Sequence, residues 1–163
     1  MAERKPIVSI KVQQADFDTG AEIAALSAGR GDVGAVASFV GLVRDRAAAE
    51  DAAGSVSAME LEHYPGMTEK ALEEIAEEAC ARWPLSGALI IHRFGPLSVG
   101  DQIVLAAASS AHRGAALEAC AFLMDYLKTK APFWKRETGP DGAAGWVEAR
   151  DADDAAAERW RKD

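Results

Sequence analysis

Gln102-Ile103-Val104-Leu105-Ala106-Ala107-Ala108-Ser109-Ser110-Ala111-His112-Arg113, continuing through Gly114–Lys130 into Ala131-Pro132-Phe133-Trp134-Lys135-Arg136, is the stretch on which the fold turns. Gln102–Ser109 is an apolar, β-rich run and predicts a strand. From about His112 to Lys130 the spacing predicts a helix with Leu117, Cys120, Ala121, Met124 and Leu127 on one stripe. Pro132 forces a break. Phe133–Glu137, the turn Gly139-Pro140-Asp141-Gly142 and Gly145–Ala149 then read as a hairpin. A strand, a helix and a hairpin in that order belong to an α+β fold, largely antiparallel, and not to a doubly wound parallel sheet.

The flanking segments extend this reading. Upstream, Gly87–Arg93 predicts a strand, and Gly95–Asp101 reads as turn material around Pro96 and Gly100. Before them, Thr68 is positioned to cap a helix carrying Leu72, Ile75, Ala76, Ala79 and Trp83, which Pro84 ends. Val56–Tyr64 alternates, with Met59, Leu61 and His63 on one face and Glu60, Glu62 and Tyr64 on the other. Gly34–Val43 is apolar and β-branched and reads as a buried strand; an Ala/Asp/Gly loop follows Arg44-Asp45-Arg46 as far as Gly54. Pro6–Val12 is the first strand, and Asp16 or Asp18 can cap a short helix over Gly20–Ser27. The chain reads as a single domain over 1–163, with a core of about 7–150 and a short C-terminal helix over 151–163 that Asp151 can cap.

Composition narrows the function. The 163 residues are 49% hydrophobic and 27% charged, enough apolar surface for a packed core. Eighteen Lys and Arg against 26 Asp and Glu give a net charge of −8, which disfavours nucleic acid as a partner. No apolar run reaches the ~20 residues of a membrane span, and the N-terminus has no secretion-signal core, so a cytoplasmic protein is expected. Between His112 and Arg136, however, five basic residues meet two acids, a local charge of +3. The remaining chain therefore carries −11, and the island suggests a local anion site or the solvated basic end of a helix.

Phosphate-loop, dinucleotide, nucleophile-elbow, HExxH and CxxC signatures are all missing, and His63, His92 and His112 have no metal-ligand spacing. Cys80 and Cys120 lie in helical, Ala-rich surroundings and read as small buried hydrophobes. Glu60 and Glu62 share a strand face, either as a solvated pair or as acid/base groups. Ser109-Ser110-Ala111-His112-Arg113 joins a strand end to a helix start. Cations there oppose the helix dipole, so hydroxyls, imidazole, guanidinium and free N–H groups could cradle phosphate, unless Ser110 is simply the cap. Lys128 and Lys135 flank Thr129–Trp134. Lys128 falls near the apolar stripe and Lys135 beside Phe133 and Trp134, surroundings that can depress a lysine pKa.

Three strings carry a resemblance: Glu62-His63-Tyr64-Pro65-Gly66-Met67, Ser110-Ala111-His112-Arg113, and Met124-Asp125-Tyr126-Leu127-Lys128-Thr129-Lys130-Ala131-Pro132-Phe133-Trp134-Lys135. With Gly34–Arg44 and Trp146-Val147-Glu148-Ala149-Arg150, they resemble the large, catalytic subunit of molybdopterin synthase, over about Ile7 to Trp160. The resemblance implies an α/β hammerhead-type core with an additional small antiparallel sheet. It also implies conversion of cyclic pyranopterin monophosphate to molybdopterin. Sulfur would come from the C-terminal Gly-Gly thiocarboxylate of a small ubiquitin-like carrier subunit. The implied assembly is a heterotetramer around a homodimer, and no metal or organic cofactor is needed.

Residue by residue, the resemblance assigns substrate binding to Leu42, Val43, Arg44, His112, Arg113, Lys128, Lys135, Arg136 and Glu137, with Lys128 and Lys135 catalytic. Many family members carry a basic residue where this chain has Leu42, so only a backbone contact transfers there. Arg150 is a further arginine candidate for the pocket. The division of labour between the two lysines stays open. Sixteen residues separate His112 from Lys128, roughly 24 Å along a helix axis. One protomer therefore cannot easily present both to one small substrate, and a two-fold dimer that shares the pocket is expected.

Overall fold

A computed structural model describes residues 4–45, 58–138, 144–147 and 151–162. Strands β1 (Ile7–Gln13), β2 (Ala35–Leu42), β4 (Leu85–Arg93) and β6 (Gln102–Ser110) form one sheet in the order β1-β4-β6-β2. Strand β1 runs parallel to β4, whereas β4–β6 and β6–β2 are antiparallel. The second sheet, β5-β3-β7-β8, is built from β3 (Ala58–His63), β5 (Gly95–Ser98), β7 (Phe133–Thr138) and β8 (Ala144–Val147). All its pairs are antiparallel. The α+β class with an additional small antiparallel sheet therefore stands.

Alternation along the first sheet divides the core. Ala88 and Ile90 of β4, Val104, Ala106 and Ala108 of β6 and Ala37 of β2 face α2 (Met67–Arg82) and α3 (Arg113–Lys130). Leu89, Ile91, Leu105 and Ala107 face the other way, against Phe17 and against Leu26 at the end of α1 (Thr19–Ala25). The run of alanines in β6 lets α3 approach the sheet closely. Val43, Met59, Leu61 and Leu97 form a third cluster between the sheets. Helix α4 (Asp151–Glu158) and the residues after it pack back on α2 and α3. The Asp125 carboxylate accepts from Trp160 Nε1 at 2.6 Å and from Arg159 Nη2 at 2.6 Å, and Arg82 donates to the Trp160 carbonyl.

Several expectations need correction. Strand β2 is an edge strand, with Phe39 44% exposed, not a buried one. Gly95–Ser98 is a strand at the edge of the second sheet, not turn material. Thr68 does not cap α2: Gly66 does, and the Glu69 carboxylate accepts from the Gly66 N–H at 2.6 Å. Leu117 is 60% exposed, because the buried stripe of α3 runs through Ala116, Ala119, Cys120, Leu123, Met124 and Leu127. Asp18 does cap α1, accepting from Ala21 N–H. The loop over 46–57 and the turn Gly139-Pro140-Asp141-Gly142 lie outside the described residues.

Candidate functional site

Helix α3 runs antiparallel to β6 along the first sheet, so its two ends lie at opposite ends of that sheet. His112, the N-cap residue, and Arg113 sit exposed at one end, beside the close of β6 at Ser110. Lys128, in the last turn, returns to the other end, where β6 begins. Leu42 pairs with Gln102 there, Arg44 follows it, and His92 pairs with Val104. The helix ends at Lys130, as the proline at 132 requires. Strand β7 then carries Lys135 into the second sheet.

His92 lies within electrostatic reach of both lysines. It lies on the face of β4 shared with Ala88 and Ile90 and is nearly fully buried. Its Nδ1 stands 2.8 Å from the Arg93 carbonyl oxygen, which can only accept, so Nδ1 carries the proton. Its ring stacks on Phe133 at 3.7 Å between centroids and 19° between planes. His63, from β3, continues the row, 6.4 Å from Phe133 and 4.2 Å from Phe94. Burial pushes the His92 pKa down to about 3, and the nearby charges of Lys128 and Lys135 and the neighbouring His63 push the same way. The two lysines therefore act on one ring from different elements. Lys128 is exposed and does not lie against the apolar stripe as expected, while Lys135 is half-buried.

Strand register separates Lys135 from its neighbours. Lys135 pairs with Leu61 and Phe133 with His63 on the inward face of the second sheet. Trp134 pairs with Glu62, and Arg136 with Glu60, on the outward face. Trp134 meets Tyr64 edge to face at 4.4 Å, and with Glu62 and His63 they line a shallow cavity of about 300 Å³. Trp134 therefore stands with its back to Lys135 and does not wall off the space between the lysines.

The remaining assignments divide. Val43 is buried, and both its backbone groups are engaged, N–H with the Asp101 carbonyl and C=O with the Gly100 N–H. It packs the inter-sheet cluster and offers a ligand nothing. Leu42 and Arg44 are exposed. Ser109 and Ser110 are buried, and Ser110 Oγ donates to the Pro84 carbonyl at 2.8 Å. The expected cradle thus loses its hydroxyls and keeps His112, Arg113 and the first N–H groups of α3. The side chain of Glu137 and all of Arg150 lie outside the described residues. Cys120 is buried with its thiol pushed up to about 11, and burial also raises Cys80. Among the described residues no cluster of three or more His, Cys, Asp or Glu could hold a metal, and no helix is long and apolar enough to cross a membrane.

Sequence reasoning missed His92, setting it aside for its lack of ligand spacing. The available signal was its place on the Ala88–Ile90 face of a strand, where an imidazole must find a partner.

The model of the MoaE protein family matches residues 12–130. The chain belongs to the MoaE family. It is 60% identical over 152 residues to the molybdopterin synthase catalytic subunit of Ralstonia nicotianae, covering 93% of this chain and 84% of that one. The solved structure of the molybdopterin biosynthesis MoaE protein from Burkholderia ambifaria superposes with a TM-score of 0.78 at 55% identity, covering 94% of this chain and 98% of that one. The fold also matches a Helicobacter pylori protein–protein complex of subunits 1 and 2 of molybdopterin-converting factor. That match has a TM-score of 0.67 at 22% identity and covers 87% of this chain and 90% of that one. The name the curated relatives share is that of an enzyme subunit, and the family works in molybdenum cofactor biosynthesis.

Proposed function

We propose that this chain is the sulfurtransferase subunit that converts cyclic pyranopterin monophosphate into molybdopterin. Sulfur is taken from the C-terminal thiocarboxylate of a small ubiquitin-like partner. The observation that carries this reading is that Lys128, at the end of α3, and Lys135, on β7 just past the Pro132 turn, both act electrostatically on one buried ring, His92, in a chain whose family is established. The two-subunit complex of the Helicobacter pylori relative supports the partner.

The chemistry fits those residues. A thiocarboxylate sulfur forms a bond to a substrate carbon while a ring phosphate ester C–O bond opens, leaving charge on the phosphate oxygen. Water then cleaves the resulting thioester to the partner, which leaves as a carboxylate, and the sulfur remains on the pterin. A second thiocarboxylate supplies the second sulfur of the dithiolene in the same way, the displaced substrate oxygen leaving as water. Negative charge develops first on phosphate and then on the acyl oxygen, and ammonium groups already in place stabilise both. Lys128 and Lys135 are assigned this duty. Arg44, at the same end of the sheet, holds anionic substrate, and Leu42 offers its backbone. Arg136 and Glu137 belong to the same pocket by resemblance; for Arg136 the outward side of β7 is the weaker position. His112 and Arg113 bind phosphate in the pocket of the partner protomer. No nucleophile is needed on this chain, consistent with two thiols held protonated.

The test is reconstitution. Pure protein is mixed with cyclic pyranopterin monophosphate, with and without thiocarboxylated partner, and the dithiolene product is measured. Product only with the thiocarboxylate is the expected result. Ring opening by water alone would make the chain a phosphodiesterase, and tight binding without turnover would make it a binding module.

A further inference from the structure

His92 has no part in the mechanism above, yet two contacts fix it and two cations act on it. Its Nδ1–H is spent on the Arg93 carbonyl, its ring face on Phe133, and its edge lies within electrostatic reach of Lys128 and Lys135. The Ala131–Phe133 turn between the lysines is held from the far side as well. The buried Thr68 hydroxyl donates to the Pro132 carbonyl at 3.2 Å and accepts from the Tyr64 N–H at 3.1 Å. Within the turn, Phe133 N–H donates to the Ala131 carbonyl at 2.9 Å.

We propose that His92 is a positioning residue for the lysine pair: a neutral imidazole, locked as its Nδ1–H tautomer, that sets where Lys135 stands relative to Lys128. This rests on the reading of the two lysines as catalytic. A face-to-face stack fixes both the distance and the tilt of Phe133. Lys135 is two residues along the same strand face, so the stack sets the start of the path that carries it. With Nδ1 protonated and the ring neutral, His92 adds no third cation beside the two ammonium groups. The groups facing the ring are Lys128 from α3, Lys135 from β7 and His63 from β3. A leucine would fill the space but would give the Arg93 carbonyl no Nδ1–H and Phe133 no ring to stack on, which is why an imidazole suits the position.

The experiment separates packing from positioning. His92→Phe keeps a ring on Phe133 and loses the donor and the lone pair; His92→Asn keeps a donor near the Nδ1 position and loses the stack. Both are assayed for sulfur transfer with thiocarboxylated partner, beside Lys128→Ala and Lys135→Ala. The expected result is a fall in kcat of the order of 10²-fold, the effect of displacing a reacting group by about an ångström, with KM within threefold. Imidazole ¹⁵N shifts of the wild-type protein should report the Nδ1–H tautomer from pH 5 to 8. A folded His92→Phe protein with wild-type kcat would overturn the inference, as would an Nε2–H tautomer. If His92→Phe does not fold, a folded His92→Asn protein with wild-type kcat overturns it equally. If both lysine variants turn over like wild type, the catalytic reading itself fails, an outcome distinct from failure of His92 alone.

Discussion

Exchange subunits between a Lys128→Ala protein and a His112→Ala/Arg113→Ala protein, each inactive by itself, and sulfur transfer should return. The reasoning is geometric. Helix α3 is unbroken from Arg113 to Lys130. Fifteen residues from Arg113 to Lys128, at ~1.5 Å each, place the two about 22 Å apart along the axis. A pterin monophosphate spans roughly half of that, and the side chains at the two ends leave from opposite ends of the same sheet. If both groups bind one substrate, they come from two protomers related by a two-fold axis. Random exchange of equal amounts then gives heterodimers as about half of the population, each with one intact pocket and one lacking both sets of groups. Activity should recover to about a quarter of wild type per site, against nearly zero for either parent. Exchange is followed by mass spectrometry of differently tagged subunits, and product by the dithiolene assay. Proven exchange with no recovery would refute the shared pocket and mean that each protomer holds a complete site.

Four further outcomes follow from the structure. Lys128→Ala should lower turnover by about 10²–10³ with an unchanged unfolding midpoint, because the exposed lysine at the end of α3 carries little packing; wild-type turnover removes it from the mechanism. Sulfur transfer should survive iodoacetamide at pH 7.5, where a thiol with a pKa of about 11 is almost wholly protonated, and inactivation tracking modification of Cys120 would contradict this. Asp125→Ala strands the Trp160 indole N–H and the Arg159 guanidinium and should cost about 1–3 kcal/mol in denaturant unfolding; an unshifted midpoint would mean the carboxylate contributes nothing. His92 binds its proton near pH 3 folded and near 6.5 unfolded. Its contribution is therefore complete above 6.5 and is lost as pH falls toward 3, at up to about 1.4 kcal/mol per pH unit. His92→Phe should flatten that limb of the stability–pH curve, and parallel curves would count against a buried neutral imidazole.

What could be read in the sequence depended on how far each pattern ran. The long helix before Pro132 and the alternating Met59–Leu61 and Glu60–Glu62 faces are repeated signals, and they appear where expected. Gly95–Ser98 is four residues long, too short to display a period, and its proline argues against a ladder. It works because β5 is an edge strand, where the missing N–H faces outward. The apolar run of β2 looked buried because composition cannot tell a central strand from an edge. The stripe of α3 was misplaced by a residue at Leu117, because alanines, which carry little pattern, fill its true face at Ala116 and Ala119. In the candidate site, Lys128 and Lys135 were visible as a spacing, and their shared electrostatic reach to His92 was not. That reach depends on a strand forty residues upstream folding back beside the Pro132 turn, and no local pattern encodes it.

The way the strands pair also sets when the protein can take shape. Ile7 finds its partner at Gly87, Ala35 at Ser110 and Ala58 at Thr138, so three of the six ladders among the described residues join segments 75 to 80 residues apart at these pairs. The other three are shorter: β3 with β5, from Ala58 to Ser98, and the nearer neighbours β4 with β6 and β7 with β8. Loop closure of that length comes before any contact repays it, and chains built this way fold in milliseconds to seconds, not microseconds. On the ribosome the first strand must wait, unpaired, until β4 has emerged. The edge at β2 waits longer still, for β6, and the lysine turn is among the last parts to gain its partners. A nascent chain of this protein is therefore most exposed to wrong pairing during the interval in which it already has strands but no sheet.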